Sequence, residues 1–275
     1  MSYREILENG ELEKSENKCN NSGLVKIKSM FDCPRILSGM SHEMRTHMNS
    51  IVAFSFLMNS GNFSEEEKKE FSNHILSSCD QLMFLFDNFF DSAIIDTGNS
   101  KAEPATCSLD SLVNELKTEL RAVHNRQGND ELALIFESQP NCSDDIYVDA
   151  NRVKRVLRNL FVNALNNTKS GYIKIGCRRA NGIITFYVLD TGNSFLKNAE
   201  LLNSEDLNEA MRKYDDITAI INLTVSKKIV NIMGGKIWIV SNEVSGSGLY
   251  FSIPSKKADS SSILINKHNN KRIII

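Results

Sequence analysis

Two long runs with helical periodicity dominate the N-terminal part of the chain. The first extends from about Pro34 to Gly61, and its apolar residues form a single stripe at about 100° per residue. The second extends from Ser64 to about Ile94, with Ser64 and Glu67 in a capping-box pattern at its start. The first stripe comprises Leu37, Met40, Met44, Met48, Ile51 and Met58, and the second comprises Phe71, Ile75, Leu82, Leu85, Phe86, Phe89 and Phe90. The pattern predicts two amphipathic helices joined by a short turn.

Such a helical hairpin leaves both apolar stripes uncovered. Pairing two copies of the hairpin buries them in a four-helix bundle, so the sequence predicts a homodimer. The alternative is that the stripes dock on the C-terminal domain of the same chain.

The remainder of the chain alternates between strand-like and helix-like segments. An Asn-Gly pair between two of the strands predicts a tight hairpin turn. The predicted strands are Thr106–Leu109, Glu131–Glu137, Asp145–Asp149, Tyr172–Arg178, Ile183–Leu189, Lys236–Val240 and Leu249–Ile253, and the predicted helices are Asp110–Arg126, Asn151–Asn167 and Thr224–Met233. Helices over one side of a mixed sheet give an α/β sandwich.

The predicted fold class is therefore α+β and multidomain, a dimeric helical bundle followed by an α/β sandwich. Residues 1–28 are expected to be a flexible leader and residues 29–95 the hairpin. A polar linker at 96–105 precedes the second domain at 106–254, and residues 255–275 are expected to be a disordered tail.

Composition agrees with a two-domain globular protein. The chain has 275 residues, of which 41% are hydrophobic, and its net charge of −2 gives no strong attraction to nucleic acid. No apolar run approaches the roughly 20 residues that span a bilayer, so no transmembrane segment is expected. The six cysteines are scattered without a CxxC pair, which favours free thiols in a cytoplasmic protein over a zinc site or disulfides.

The strongest chemical signal is a histidine beside a carboxylate within the first helix, in the string SHEMRTHMNS at residues 41–50. His42 falls roughly 160° from the middle of the apolar stripe, so it faces water. Thr46 lies one turn further along the same face. A chance pairing at the surface is the alternative, but an exposed imidazole next to Glu43 is better explained by chemistry at the imidazole.

This string resembles the H-box of the sensor histidine kinases of two-component systems. The usual family string reads SHELRTPL, and His47 stands here where the family has proline. The resemblance implies that His42 accepts a phosphoryl group from ATP and passes it to an aspartate of a response regulator. It assigns Glu43 as the base that orients or deprotonates His42. It also places Thr46 where the family positions a water for dephosphorylating the regulator.

The second domain, from Thr106 to Pro254, resembles the GHKL-type ATP-binding domain of the same family. Its N-box is matched by Asn159 and Asn163, whose i,i+4 spacing puts both amides on one helix face. The resemblance implies that these two residues hold Mg²⁺ and the phosphates of ATP. Asp190 and Gly192 match the first glycine box, where the aspartate accepts a hydrogen bond from adenine. Ser194 replaces the second glycine of that box.

Other parts of the ATP site depart from the family pattern. Asn166 and Asn167 replace the basic and aromatic residues that end the N-box. Thr218–Leu223 occupies the end of the ATP lid, without any of its glycines. Each lost charge-assisted phosphate contact removes about 1.5–3 kcal/mol, whereas a ligand bound between millimolar and micromolar has only about 4–8 kcal/mol in total. The binding of ATP is therefore expected to be weak or absent.

The expected function is autophosphorylation of His42 from MgATP, followed by phosphotransfer to the receiver domain of a response regulator. The expected partners are a second copy of the chain and that regulator, and the expected cofactors are ATP and Mg²⁺. The alternative is a pseudokinase that has lost ATP binding and serves as a dimeric phosphotransfer or phosphatase scaffold.

Overall fold

The computed structural model describes residues 34–98, 100–127, 129, 131–137, 145–192, 199, 201–202, 216–242 and 246–257. The expected leader at 1–28 and Ser194 lie outside these residues, and so does the tail beyond residue 257.

The N-terminal part is a hairpin of two long helices, as predicted. Helix α1 covers Pro34–Ser60 and helix α2 covers Glu65–Asp96. The predicted capping box is present, since Ser64 Oγ accepts from the Glu67 amide at 3.2 Å and Glu67 Oε2 accepts from the Ser64 amide at 2.8 Å. These bonds satisfy two amides at the start of α2 that have no partner within the helix.

The C-terminal part is an α/β sandwich. Its elements are β1 (Ala105–Ser108), α3 (Leu109–Gln127), β2 (Leu132–Glu137), β3 (Asp145–Val148), α4 (Ala150–Asn167), β4 (Gly171–Ala180), β5 (Ile183–Asp190), α5 (Ile217–Ile232), β6 (Lys236–Asn242), β7 (Gly246–Pro254) and β8 (Lys256–Lys257). The larger sheet has the order β2-β4-β5-β7-β6, with β2 parallel to β4 and the other pairs antiparallel. A small sheet has the order β1-β3-β8.

The hairpin between β4 and β5 turns at the predicted Asn-Gly pair. Asn181 has φ 52° and Gly182 has φ 76°, and both values lie in the left-handed region. Asparagine and glycine enter that region at low cost, and two such residues match the twist of the flanking strands. In the register of this hairpin, Ala180 pairs with Ile183 and Ile173 pairs with Asp190. The position of the turn therefore determines the position of Asp190 at the end of β5.

The core lies between the larger sheet and helices α3, α4 and α5, in agreement with the predicted α+β class. The sheet contributes alternate residues because successive side chains point to opposite faces. Its buried members include Ile173, Ile175, Ile184, Phe186, Val188, Leu249, Phe251 and Ile253, and the helices add Leu112, Leu116, Val153, Leu157, Leu160, Phe161, Ile221 and Val225.

Helix α5 begins earlier than the sequence indicated. The predicted start at Thr224 was wrong, because the helix starts at Ile217 with Asp216 as its N-cap. The Asp216 carboxylate accepts from the Ala219 amide at 2.9 Å, which stabilises the first turn. Residues 218–223 therefore form helix rather than the end of a lid loop, and Ile220 and Ile221 are buried in the core.

The start of the predicted tail is also ordered. Lys256 and Lys257 pair with Tyr147 and Ile146 as strand β8, so the expected disorder was wrong for these two residues. Two lysines show no alternation of apolar and polar residues, and a strand of two residues depends on backbone pairing with its neighbour instead.

The hairpin docks on the second domain at its open end. Ile36 and Met40 are fully buried in the same cluster as the sandwich core. A Cβ at Gly39 would overlap the Ile217 side chain, so glycine allows α1 to approach the start of α5 closely. The alternative in which the first stripe docks on the same chain therefore holds for the beginning of α1. Met48 and Met58 of the same stripe are exposed, at 55% and 37%, while Ile51 between them is half-buried.

A buried lysine joins the end of the hairpin to α5. The Lys228 ammonium lies 2.5 Å from the Asp96 carboxylate and 3.1 Å from Ser92 Oγ, and Lys228 is only 4% exposed. Both partners belong to the last turns of α2. Removing one partner of an ion pair that is shielded from water destabilises the fold, because the other charge is left without a counter-charge.

We expect Lys228→Met to lower the free energy of unfolding by about 2 kcal/mol, because the partly buried Asp96 carboxylate would lose its counter-charge and its hydrogen bond. Urea unfolding followed by circular dichroism measures this change. The matched control is Lys68→Met, which removes an exposed pair with Glu65 and should cost less than about 1 kcal/mol. Equal effects of the two substitutions would contradict this role of Lys228.

Candidate functional site

His42 lies on the exposed face of α1, as the periodicity predicted. Thr46 is exposed one turn further on, and its hydroxyl donates to the His42 carbonyl oxygen at 3.0 Å. This bond is local to the helix and leaves the imidazole accessible from solvent. The position suits a nucleophile that must meet a large substrate.

Glu43 and His47 turn from the same helix towards the second domain. The Glu43 carboxylate lies 3.9 Å from His47 Nε2, and both residues are partly buried. Burial lowers the pKa of His47 below its ordinary value, and the charge of Glu43 opposes this change. His47 is therefore neutral near pH 7, and it places a polar ring where the family has proline.

A cleft of about 150 Å³ separates the hairpin from the second domain. Glu43 and His47 line it from α1, and Arg126, Arg158 and Asn166 line it from the opposite side. His42 is not among the lining residues. The H-box and the N-box helix therefore already face each other across this cleft, but the phospho-acceptor itself points away from it.

The two N-box asparagines lie together on α4 and are buried, with exposures of 0% for Asn159 and 1% for Asn163. Asn159 Nδ2 donates to the Asn222 carbonyl oxygen at 3.5 Å, which is a long contact. Asn159 Oδ1 and Asn163 Nδ2 have no hydrogen-bond partner. Asn167, at the family's aromatic position, donates to the Asn163 carbonyl oxygen at 2.6 Å.

The carboxylate at the end of β5 is held by a set of donors. Asp190 is 1% exposed, and it accepts from the Gly192 amide and from Ser247 Oγ, both at 2.9 Å. Burial raises the pKa of Asp190, while hydrogen bonds from Ser247, Gly192 and Thr168 pull it back. A Cβ at Gly192 would overlap the Asn167 carbonyl oxygen and Thr168 Oγ1, so the turn admits only glycine without rearrangement.

The structure thus assembles the predicted site in two groups. Asn159 lies beside Asn163, and Asp190 is bonded to Gly192, whereas His42 stays apart from both groups. Sequence reasoning missed the roles of Ser247 and Thr168 around Asp190. Ser247 stands between two glycines at the start of a strand that pairs with Asp190, but only the sheet register shows this proximity.

The described residues contain no group of three or more histidine, cysteine or carboxylate side chains that would hold a metal ion. Mg²⁺ accepts neutral amide oxygens and takes its other ligands from water and phosphate. The unpartnered Oδ1 of Asn159 is such an oxygen. The N-box therefore fits Mg²⁺ bound together with a nucleotide, and it does not fit a metal held by the protein alone.

Two family models match the chain in the order of its domains. Residues 35–98 match the His Kinase A (phospho-acceptor) domain. Residues 148–257 match the histidine kinase-, DNA gyrase B- and HSP90-like ATPase family. The fold and the site therefore define a phospho-acceptor hairpin joined to an ATPase-type domain. The chain belongs to the sensor histidine kinases of two-component systems.

Curated relatives with similar sequences are sensor proteins. The chain is 25% identical over 255 residues to the sensor protein EvgS of Escherichia coli O157:H7, covering 88% of the chain and 20% of EvgS. It is 22% identical over 261 residues to the autoinducer 2 sensor kinase/phosphatase LuxQ of Vibrio parahaemolyticus, covering 90% of the chain and 29% of LuxQ. The chain thus spans about a fifth to a third of the length of these relatives.

Solved structures show the same fold. The Acinetobacter baumannii histidine kinase AdeS aligns with a TM-score of 0.52 and 19% identity, covering 78% of this chain and 97% of the AdeS chain. Full-length ShkA, solved in complex with AMPPNP, aligns with a TM-score of 0.52 and 19% identity, covering 82% of this chain and 46% of ShkA. The comparisons give no support to the pseudokinase alternative.

Within the part of the chain that the structure describes, none of the helices combines the length and the apolar character that crossing a membrane requires.

We expect the stability of the protein to fall as pH drops from about 7.5 to 5.5, in part through His47. The pKa of His47 in the folded state is below the ordinary 6.5, so the unfolded chain binds the proton more tightly. The neutral His47 ring therefore makes its full contribution to the free energy of unfolding above about pH 6.5, and this contribution is lost as the pH falls towards the lowered pKa. His47→Gln should lose less stability over this range than the wild type.

Urea unfolding at several pH values measures the difference. The matched control is His74→Gln, since the His74 ring stacks on Phe54 within the hairpin, away from the cleft. An identical pH dependence in the wild type and His47→Gln would contradict the burial of a neutral His47.

Proposed function

We propose that this chain transfers the γ-phosphoryl group of MgATP to His42 and then to an aspartate in the receiver domain of a response regulator. The observation that carries the proposal is the exposed His42 on a phospho-acceptor hairpin whose neighbour in the chain is an ATPase-type domain.

The proposed first step is attack by a neutral imidazole nitrogen of His42 on the γ-phosphorus. A P–N bond forms, the P–O bond to the β-phosphate breaks, and ADP leaves with the electron pair. The other ring nitrogen then loses its proton to Glu43, so the phosphohistidine keeps a neutral ring system. In the second step the ring regains a proton, an aspartate oxygen of the receiver attacks the phosphorus, and the P–N bond breaks with its electron pair returning to the nitrogen of a neutral imidazole.

Glu43 can act as the base for His42 only after a rearrangement. Its carboxylate now lies beside His47 and lines the cleft, while His42 is exposed and does not line it. We infer that the hairpin and the second domain change their relative position so that His42 and Glu43 meet the same triphosphate. Thr46 is proposed to position the water that dephosphorylates the regulator, because its exposed hydroxyl lies one turn from His42.

ATP is proposed to bind through both groups of the second domain. Asp190 would accept from the adenine amino group, and Gly192 gives the base close access to the backbone. Asn159 and Asn163 would hold Mg²⁺, which neutralises phosphate charge and orients the triphosphate when bound. The Asn159 Oδ1 that lacks a partner supports this assignment.

The active form is proposed to be a homodimer. Several large apolar side chains of the hairpin stay exposed although others are buried against the second domain. They are Met48, Val52 and Phe56 on α1, and Leu76, Met83, Phe86 and Phe90 on α2. A contiguous apolar surface on two adjacent helices favours a second hairpin as its cover.

We expect radiolabelled MgATP to label the wild-type chain and not His42→Ala, because only His42 offers an exposed imidazole on the phospho-acceptor helix. The label should disappear when an acceptor receiver domain is added. Gel autoradiography at matched protein concentration measures both steps.

His74→Ala is the control, since it removes another histidine from the hairpin without touching the H-box. Retention of the label in His42→Ala would contradict the assignment of the acceptor. Absence of label from the wild type, with and without receiver domains, would contradict the kinase proposal.

A further inference from the structure

The larger sheet of the second domain has an outer face, opposite the face that packs on α3, α4 and α5. Successive side chains of a strand point to opposite faces, so the residues that alternate with the buried positions of β2, β4, β5, β7 and β6 form this surface. Ile135 of β2 and Val240 of β6 belong to it, and they are 40% and 41% exposed. The outer face thus presents apolar side chains to solvent at both edges of the sheet.

A row of aromatic rings crosses the middle of the outer face. The strand register places Tyr187 beside Tyr250 and Tyr250 beside Trp238, with ring centroids 5.8 Å and 5.7 Å apart. The Tyr187 hydroxyl donates to Glu137 Oε2 at 2.8 Å, and a Cβ at Gly176 would overlap the Tyr187 ring. The row is therefore held in place by its neighbours and offers a preorganised apolar surface.

The next row of the outer face has a cation at each end. In register across the strands it contains Arg178, Thr185, Ser252 and Lys236. Arg178 and Lys236 are exposed, and neither is paired with a carboxylate among the described residues. The row combines two available positive charges with two hydroxyl groups between them.

Positive charge prevails on the outer face although the chain as a whole is negative. Its charged residues at described strand positions are the cations Lys174, Arg178 and Lys236 and the carboxylate Glu137. The net charge of the whole chain is −2. Electrostatic complementarity therefore favours a partner whose contacting surface is acidic.

Two other kinds of partner fit this surface less well. A second copy of the chain would bring two cationic faces together, which is unfavourable. A single-stranded nucleic acid binds through many phosphate contacts and through bases stacked on exposed rings. The chain is negative overall, and Tyr187 is only 2% exposed, so its ring is closed to a base.

The spacing of the two cations matches an extended peptide. Arg178 and Lys236 are three strand spacings apart, which is about 14 Å for neighbouring strands about 4.8 Å apart. An extended peptide rises about 3.4 Å per residue, and its side chains at positions i and i+4 point to the same side. Two carboxylates with this separation meet both cations, while the Thr185 and Ser252 hydroxyls face the peptide between them.

We propose that the outer face binds an extended acidic peptide segment of a partner protein. Its carboxylates pair with Arg178 and Lys236, and its apolar side chains contact Tyr250 and Trp238 in the adjacent row. This binding site is separate from His42 and from the proposed nucleotide site, so it adds a protein contact to the phosphotransfer reaction rather than a step within it.

Trp238 provides the readout, because it is the only tryptophan of the chain. The probe is a synthetic peptide in which aspartates four residues apart are separated by threonine and leucine, and the control peptide carries asparagine in place of each aspartate. Titration of the full chain, without nucleotide, should give a saturable change in tryptophan emission with the acidic peptide and none with the control peptide. Raising the salt concentration should weaken the binding, because the paired charges are exposed.

The test variant is the double substitution Arg178→Gln with Lys236→Gln. Both side chains are exposed, so the protein should remain folded, and the dissociation constant for the acidic peptide should rise about three- to tenfold. The matched control is Lys117→Gln with Lys154→Gln, which removes two cations from helices α3 and α4 of the same domain. Its dissociation constant should stay within about twofold of the wild type.

Several results would overturn this assignment. An emission that does not change with the acidic peptide would contradict the site, and equal weakening in the two double variants would show only a general attraction to the protein. Tighter binding of a single-stranded oligonucleotide or of anionic vesicles than of the peptide would contradict the choice of partner. A change in emission with protein concentration alone would identify a second copy of the chain as the occupant instead.

Discussion

The packing of α5 against the N-box helix and the hairpin is the constraint on which the rest of the structure depends. This helix completes the core of the sandwich, carries Lys228 to its partners on α2, and places Asn222 beside Asn88 and Asn159. The contacts of this one helix thus contribute both to the stability of the fold and to the relative position of the two domains.

The two parts of the proposed nucleotide site differ in how their polar atoms are paired. Around Asp190, the proposed partner of adenine, the buried carboxylate accepts from the Gly192 amide and from Ser247. Around Asn159, the proposed phosphate end contains buried amide atoms that lack partners. Under the proposed function, these atoms would find their partners in the bound Mg²⁺ and phosphates.

Much of the fold was predictable from the sequence because periodicity and local turn chemistry determine it. The hairpin helices, the Ser64 capping box and the Asn181–Gly182 turn follow from spacing and from backbone preference. The start of α5 did not follow from the periodicity, because residues 217–223 are nearly all apolar or small and the first turn depends on the Asp216 carboxylate, which accepts from the Ala219 amide. Contacts between elements distant in sequence, such as Asn88 with Asn222, leave no local pattern and require the tertiary structure.

The central claim is that this chain binds MgATP with Asp190 as the partner of adenine, in spite of the substitutions at Ser194 and at the end of the N-box. Calorimetric titration of MgATP into the wild type and into Asp190→Ala tests it most directly. The account predicts wild-type binding between about micromolar and millimolar affinity, and binding at least about tenfold weaker in Asp190→Ala. No binding to the folded wild type, or equal affinity for the two proteins, would contradict it.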